Sequence, residues 1–482
     1  MQGKVQIANI DLLNKHIFVT LALLFSLVGS ILIDSLFVIN KSSILYLVCF
    51  GSTLFFVWIF WSWYKINKSL FDPYVFFVIA AILFNAGQIL LEVFNLNVEG
   101  GLLAGDFPAS TLVATVILVV LSMISFHLGA LISSRFTGSV KSKQICDFQA
   151  NRSTGYLLFS ISVIPFILNI YEAILIVANM GYFALYERTA SVGFGATANI
   201  LSSFLIPSAM FILVGSNNEK KHLFVSSLII FLYSTTQFFL GYRGWATMPI
   251  IAYAWLWSLV ISPIAKKYII FSIIVITILV FPYVQTMRNF SYEERSDFSL
   301  FQLPSEYSSH AVSVVSEMGK SMQTVSYTLE LVPNKRSFDW GEGYLYALLT
   351  GLPNVWDGLH PAVARGLPSS WLVWEVSPQI ARAGGSLGFS FIAEAYLNFG
   401  WYGAPVFIML LGFLYGKFVT KVILSKNLAL YALLASFISF SLYFPRGELS
   451  AVVRQFLWFS FLPYMLSSQL SKMNFFRRDR SI

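Results

Sequence analysis

Long apolar runs alternate with short polar connections along almost the whole chain. A helix needs about 20 apolar residues to cross the hydrocarbon core of a bilayer, and about twelve runs of this chain come near that length. They lie at 17–39, 44–64, 73–95, 110–133, 154–179, 196–215, 223–241, 246–262, 268–286, 400–420, 428–444 and 450–470. Only helices and closed barrels satisfy backbone hydrogen bonds in lipid, and unbroken runs favour helices. The pattern therefore predicts an all-α polytopic membrane protein.

One polar connection is far longer than the others. Residues 1–286 carry the first nine predicted spans, residues 287–399 form a large extracytoplasmic segment, and residues 400–482 carry three more spans and a basic tail. A loop of this length without structure of its own is unusual, so we expect short helices that cover a cavity. Its last part, residues 384–400, reads as a glycine turn followed by a short amphipathic helix at the membrane interface or in the outer leaflet.

Composition and charge narrow the class of protein. The chain is 57% hydrophobic and 11% charged, with a mean hydropathy of +0.72, which excludes an ordinary soluble domain. Its pI of about 9.2 does not indicate nucleic-acid binding, because the positive charge lies in short connections and the tail. Lysine dominates alternate connections and places both termini in the cytoplasm. The opposite side carries mostly arginine, whose planar guanidinium binds phosphate in a bidentate manner.

Four arginines lie at the outer ends of different predicted helices and form a candidate pyrophosphate site. Arg243 stands between glycines in the turn 241–244, where it either serves function or snorkels to the interface. Arg446 either belongs to the site or pairs with Glu448, and Arg288 taken alone would be an interfacial anchor. Arg454 begins the last span on the arginine side. Two arginines of the large segment would close over the same site: Arg365 and Arg382.

Two acid–base candidates lie in the large segment. Glu394 stands in an otherwise apolar helix, where burial suits a carboxylate to general-base work, although a salt bridge to an arginine would also explain it. His360, with Asp357 nearby, is the second candidate. The tryptophans of the segment either stack on sugars or form an interfacial belt. No Walker, dinucleotide or zinc pattern occurs, and the first outer loop lacks paired acids, so we expect chemistry without a cofactor or metal ion.

Three local patterns and the overall plan resemble a known family. The patterns are Gly-Tyr-Arg-Gly at 241–244, Gly-Phe-Ser-x-Ile-Ala-Glu-x-Tyr-x-Asn-Phe-Gly at 388–400, and Arg-Gly-Glu at 446–448 with a following arginine at 454. With about twelve helices and one large late periplasmic segment, the chain resembles the Wzy-type O-antigen and polysaccharide repeat-unit polymerases. These resemble GT-C-class glycosyltransferases of the bacterial inner membrane.

The resemblance implies a reaction and roles for the candidate residues. The enzyme would move a growing glycan from undecaprenyl pyrophosphate onto the non-reducing end of an incoming lipid-linked repeat unit at the periplasmic face. Arg243, Arg288, Arg446 and Arg454 would hold the donor pyrophosphate, and Glu394 or His360 would activate or orient the acceptor hydroxyl. Membrane lipid and a polysaccharide chain-length regulator are further candidate partners.

Two other functions fit parts of the same pattern. A lipid-linked oligosaccharide flippase or another transporter often has twelve helices. However, the chain shows no internal repeat and few ionisable residues at mid-span. An O-antigen ligase would share both the plan and the pyrophosphate donor, so the arginines do not distinguish it from a polymerase.

Overall fold

The computed structural model describes residues 10–34, 41–97, 102–136, 147–180, 185, 194–276, 280, 281, 283, 284, 307–353 and 360–479. The first ten helices are α1 Ile10–Asp34, α2 Lys41–Asn67, α3 Pro73–Val93, α4 Ala109–Arg135, α5 Phe148–Met180, α6 Phe194–Ser202, α7 Leu205–Val214, α8 Lys220–Phe239, α9 Arg243–Val260 and α10 Lys266–Val275. The others are α11 Tyr307–Gly319, α12 Ser321–Leu331, α13 Glu342–Leu349, α14 Pro361–Arg365, α15 Pro368–Val376, α16 Pro378–Arg382, α17 Phe391–Ser425, α18 Leu428–Ser441, α19 Leu449–Phe456 and α20 Leu462–Asp479. This part of the chain contains no strand, and the all-α membrane fold is confirmed.

Ten helical stretches in the described residues are long and apolar enough to cross a membrane. They comprise α1 to α5, the α6–α7 pair, α8, α17, α18 with the following turn, and α19 with α20. The predicted spans 246–262 and 268–286 correspond to α9 and α10, which are helical but not among these ten. The chain is therefore a multi-pass membrane protein, and the count of twelve spans stays a prediction.

The largest helix contact joins α4 to α17 through glycines. A methyl group added at Gly129 of α4 would overlap the carbonyl oxygen of Met409, and one added at Gly412 of α17 would overlap that of Phe126. Small residues at such positions let two helix backbones approach closely in a membrane, where van der Waals packing drives association. Most of α4 is buried, so α4 lies at the centre of the bundle and α17 packs along it.

The helix α17 differs from its prediction in two ways. It begins at Phe391, where we expected a span from 400, and Gly400 interrupts it with a φ of +64°. The part before the interruption is not amphipathic, because every residue of 391–398 is buried by neighbouring protein. This short stretch is buried on all sides because it packs inside the molecule, and it includes the polar residues Glu394 and Asn398.

The described part of the large segment packs against the ends of the central helices. Gln88 of α3 donates its side-chain amide to the carbonyl of Ser316 in α11 at 2.8 Å. The hydroxyls of Thr115 in α4 and Ser326 in α12 lie 2.9 Å apart. Helices α11 to α16 lie within 307–382. The division at 286/287 and 399/400, with its periplasmic assignment, stays a prediction.

Candidate functional site

A buried asparagine in α3 joins two elements that carry predicted site residues. Asn85 in α3 donates its amide to the carbonyl of Pro445 at 2.9 Å. The same side chain accepts a hydrogen bond from the hydroxyl of Ser390 at 2.6 Å. Ser390 is also the N-cap of α17, because its hydroxyl accepts from the backbone N–H of Ile392. Asn85 therefore holds the turn after α18 against the start of α17.

Arg446 lies at the end of that turn and is not paired with Glu448. Its Cζ atom lies 6.0 Å from the centre of the Phe84 ring. Its Nε atom lies 3.3 Å from where a side chain on Gly388 would begin, and Gly388 has a φ of +74°, so only glycine suits this position. The carboxylate of Glu448 instead accepts hydrogen bonds from the backbone N–H of Ser369 at 3.1 Å and from a serine hydroxyl.

Arg243 begins α9 and turns its side chain into the protein. It donates to the carboxylate of Glu317 at 2.6 Å, and only 12% of its side chain is exposed. Its second terminal nitrogen is buried without a hydrogen-bond partner among the described residues. The next residue but one, Trp245, stacks on Tyr443, whose carbonyl accepts from the backbone N–H of Arg446. Arg243 and Arg446 therefore lie at the same end of the bundle.

Glu394 lies on the other side of the same turn. It is 2% exposed, and its carboxylate accepts a hydrogen bond from the backbone N–H of Leu449 at 2.8 Å. Leu449 follows Arg446 by three residues, and three residues span at most about 10 Å. The described residues show no salt bridge between Glu394 and an arginine. The segment 444–449, called here the outer turn, therefore contains Arg446 and is contacted at its last residue by the carboxylate of Glu394.

Glu448 of the outer turn is unusually buried for a carboxyl group. Burial raises its pKa above the ordinary value, while the hydrogen bonds donated by Ser369 and Ser450 oppose the rise. Its negative charge therefore depends on these two donors. The arrangement fixes the outer turn against α15 without using Arg446.

A narrow pocket opens between α13, α14 and the first turns of α17 and α19. Asp339 accepts hydrogen bonds from Arg336 at 3.0 Å and forms an ion pair with Arg365 at 3.0 Å. Arg365 also lies 3.5 Å from the carboxylate of Glu342. The charged and polar side chains that line this pocket, called here the charged pocket, are Arg336, Asp339, Tyr346, Arg365, Glu394 and Ser450.

The other predicted residues lie elsewhere. His360 is the N-cap of α14, where its Nδ1 accepts from the backbone N–H of Ala362. Arg382 and Arg454 are exposed, and within the described ranges no hydrogen bond or ion pair joins either to the outer turn. Arg288 and Asp357 lie outside the described residues.

Comparison with protein families assigns the chain. A family model described as O-antigen polysaccharide polymerase Wzy matches residues 16–475. The chain belongs to this family. No curated protein and no solved structure matches it. The resemblance found from the three motifs is therefore confirmed, and it extends to nearly the whole chain.

The Wzy match covers both the outer turn and the charged pocket. Membership supports O-antigen polymerase activity on lipid-linked repeat units in a membrane. Three residues that the sequence analysis did not single out help to build the site: Asn85, Arg336 and Asp339. An asparagine within an apolar span is a recognisable indication of a functional or buried position. Arg336 and Asp339 lie in a long irregular segment with many polar residues, where nothing in the sequence distinguishes them as site residues.

Proposed function

We propose that this chain polymerises repeat units carried on undecaprenyl pyrophosphate at the periplasmic face of the inner membrane. The growing glycan leaves its lipid carrier and joins the non-reducing end of an incoming lipid-linked unit. Family membership supports the polymerase activity, and the lysine-rich connections support the orientation of the bundle. With this orientation, the outer turn faces the periplasm.

The observation that carries the proposal is the placement of Arg446 within the outer turn and of Glu394 against its last residue, Leu449. In the proposed reaction, the acceptor oxygen forms a bond to the anomeric carbon of the donor, and the bond from that carbon to the pyrophosphate oxygen breaks. The pyrophosphate leaves with the electron pair, and the acceptor proton passes to Glu394. Arg446 and Arg243 stabilise the charge that develops on the leaving group.

No metal ion enters this mechanism. Guanidinium groups supply positive charge at the leaving pyrophosphate, which is the role that a divalent cation would otherwise take. Arg446 suits this role best, because the described residues place an aromatic ring and a glycine, and no carboxylate, against its side chain. Arg243 shares its charge with Glu317 and supports the site from its edge.

A complementation experiment tests the function. A strain deleted for this chain should make core lipid A with a single repeat unit, because flipping and ligation still operate. The wild-type chain should restore a ladder on a gel, whereas Arg446→Lys and Glu394→Gln should not restore it at matched membrane levels. Arg135→Lys is the matched control, because Arg135 is an exposed arginine at the C-terminal end of α4, opposite to the end that contacts the large segment.

Two results would contradict the proposal. Complete loss of surface glycan in the deletion strain would indicate a flippase or a ligase. A full ladder from Arg446→Lys would show that bidentate binding by this guanidinium is not needed.

A further inference from the structure

The charged pocket adjoins the outer turn but differs from it in chemistry. Its two arginines already share Asp339, and Glu342 adds negative charge beside Arg365. Arg336 also stacks on Trp371, and Arg365 stacks on Tyr346, with Cζ-to-ring distances of 4.7 and 4.9 Å. Carboxylates and guanidinium groups therefore alternate along the pocket wall.

This mixture disfavours a pyrophosphate and suits a sugar. The negative groups would repel a phosphate ligand, whereas a hydroxyl group both donates to carboxylates and accepts from guanidinium nitrogens. One donor is available, because Nη1 of Arg365 is buried without a hydrogen-bond partner among the described residues. The pocket is narrow and holds little more than one water-sized group, so it fits a hydroxyl of a sugar and not the whole ring.

The position of the pocket decides which sugar would occupy it. Glu394 lines the pocket, and its carboxylate is tied to the outer turn through Leu449. A hydroxyl bound beside Glu394 would face the turn that holds the donor pyrophosphate in the proposed function. The acceptor must bring a hydroxyl to this place, whereas the donor brings its anomeric carbon.

We propose that the charged pocket binds the non-reducing terminal sugar of the acceptor, with Arg365, Asp339 and Glu342 as specificity-determining residues. This inference rests on the proposed function. It moves Arg365 from the pyrophosphate, where the sequence pattern placed it, to the acceptor hydroxyls. Donor and acceptor then bind on two sides of one turn, and Glu394 lies between them.

The test uses a probe that can serve as the glycan acceptor but not as the glycan donor, so that binding of the two substrates is measured separately. The probe is the octyl glycoside of the repeat-unit oligosaccharide, which has the non-reducing end and no pyrophosphate. The purified chain in nanodiscs should transfer glycan from the lipid-linked donor to this probe. Arg365→Lys and Glu342→Gln should each raise the KM for the probe about tenfold, the effect of one charge-assisted hydrogen bond. The KM for the donor should change by less than about twofold.

The controls keep a folding defect apart from a binding defect. Glu342 is 60% exposed, so its isosteric amide should leave the fold intact even if Arg365→Lys does not. Lys335→Ala removes a surface ion pair with Glu375 outside the pocket and should leave both KM values unchanged. If the wild-type chain transfers no glycan at all from the lipid-linked donor, the proposed function is overturned. Transfer with an unchanged probe KM in Glu342→Gln, or with a raised donor KM in both pocket variants, would overturn the acceptor site alone.

Discussion

Replacing Asn85 with leucine should loosen the outer turn while nearly preserving side-chain volume. The change removes the bond to the carbonyl of Pro445 and the bond from the hydroxyl of Ser390. Each buried polar group left without a partner costs about 1–3 kcal/mol, so the two together cost about 2–6 kcal/mol. Unfolding entropy near 2 cal/mol/K per residue gives about 1 kcal/mol/K for 482 residues, so the unfolding temperature should fall by about 2–6 °C.

The same variant should lose polymerisation by more than its stability explains. A shift of about 1 Å in a positioning element can cost about 100-fold in rate, and Pro445 precedes Arg446 directly. The assays are thermal unfolding in detergent, followed by tryptophan fluorescence, and glycan laddering at matched membrane levels. Asn67→Leu is the control, because Asn67 is exposed at the far end of α2 and makes one long intrahelical contact. A destabilised Asn85→Leu that still makes a full ladder would refute the positioning role.

Two further predictions concern the bundle itself. Gly412→Leu should separate α17 from α4 and lower the free energy of unfolding by about 1–3 kcal/mol. Gly51→Leu is the control, because Gly51 on α2 faces open space, and equal unfolding temperatures of the two variants would contradict the packing argument. Burial raises the pKa of Asp72, the N-cap of α3, from 3.8 to about 6. The stabilisation of the folded state by this group is therefore complete at pH values below 3.8 and is lost as the pH rises through 6. Asp72→Asn caps equally well without ionising, and it should unfold at a higher temperature than wild type at pH 8 but not at pH 4; parallel pH profiles would refute this.

Helices were predictable from this sequence because apolar runs of membrane length have few alternatives in lipid. Helix limits were less predictable where burial by protein replaces burial by lipid. The stretch before Gly400 is buried on every side because α3, α12 and the outer turn surround it. Hydrophobicity alone does not show which of these environments a residue occupies, so the sequence predicts an amphipathic interfacial helix before Gly400 where the structure has one buried by protein.

The sequence indicates two residues of the candidate site but not what connects them. Arg446 and Glu394 could be selected because charged residues are costly near hydrocarbon. Their closeness depends on Asn85 and on the backbone N–H of Leu449, and one sequence does not state which helices touch. The pair of Arg336 and Arg365 around Asp339 joins residues across an irregular segment, where no periodicity indicates which side chains meet.

The outer turn and the charged pocket use their side chains in different ways. The outer turn is held through its backbone, since Asn85 binds the carbonyl of Pro445 and Glu394 binds the N–H of Leu449. Its arginine therefore carries little of the fold, and replacing it should separate function from stability. In the charged pocket, the ion pair of Asp339 and Arg365 forms part of the wall, and the same two side chains would contact the proposed ligand. In the proposed function, selection could therefore change Arg446 only at the expense of catalysis, whereas adapting the pocket to another acceptor sugar must also preserve the ion pairs that hold α14 in place.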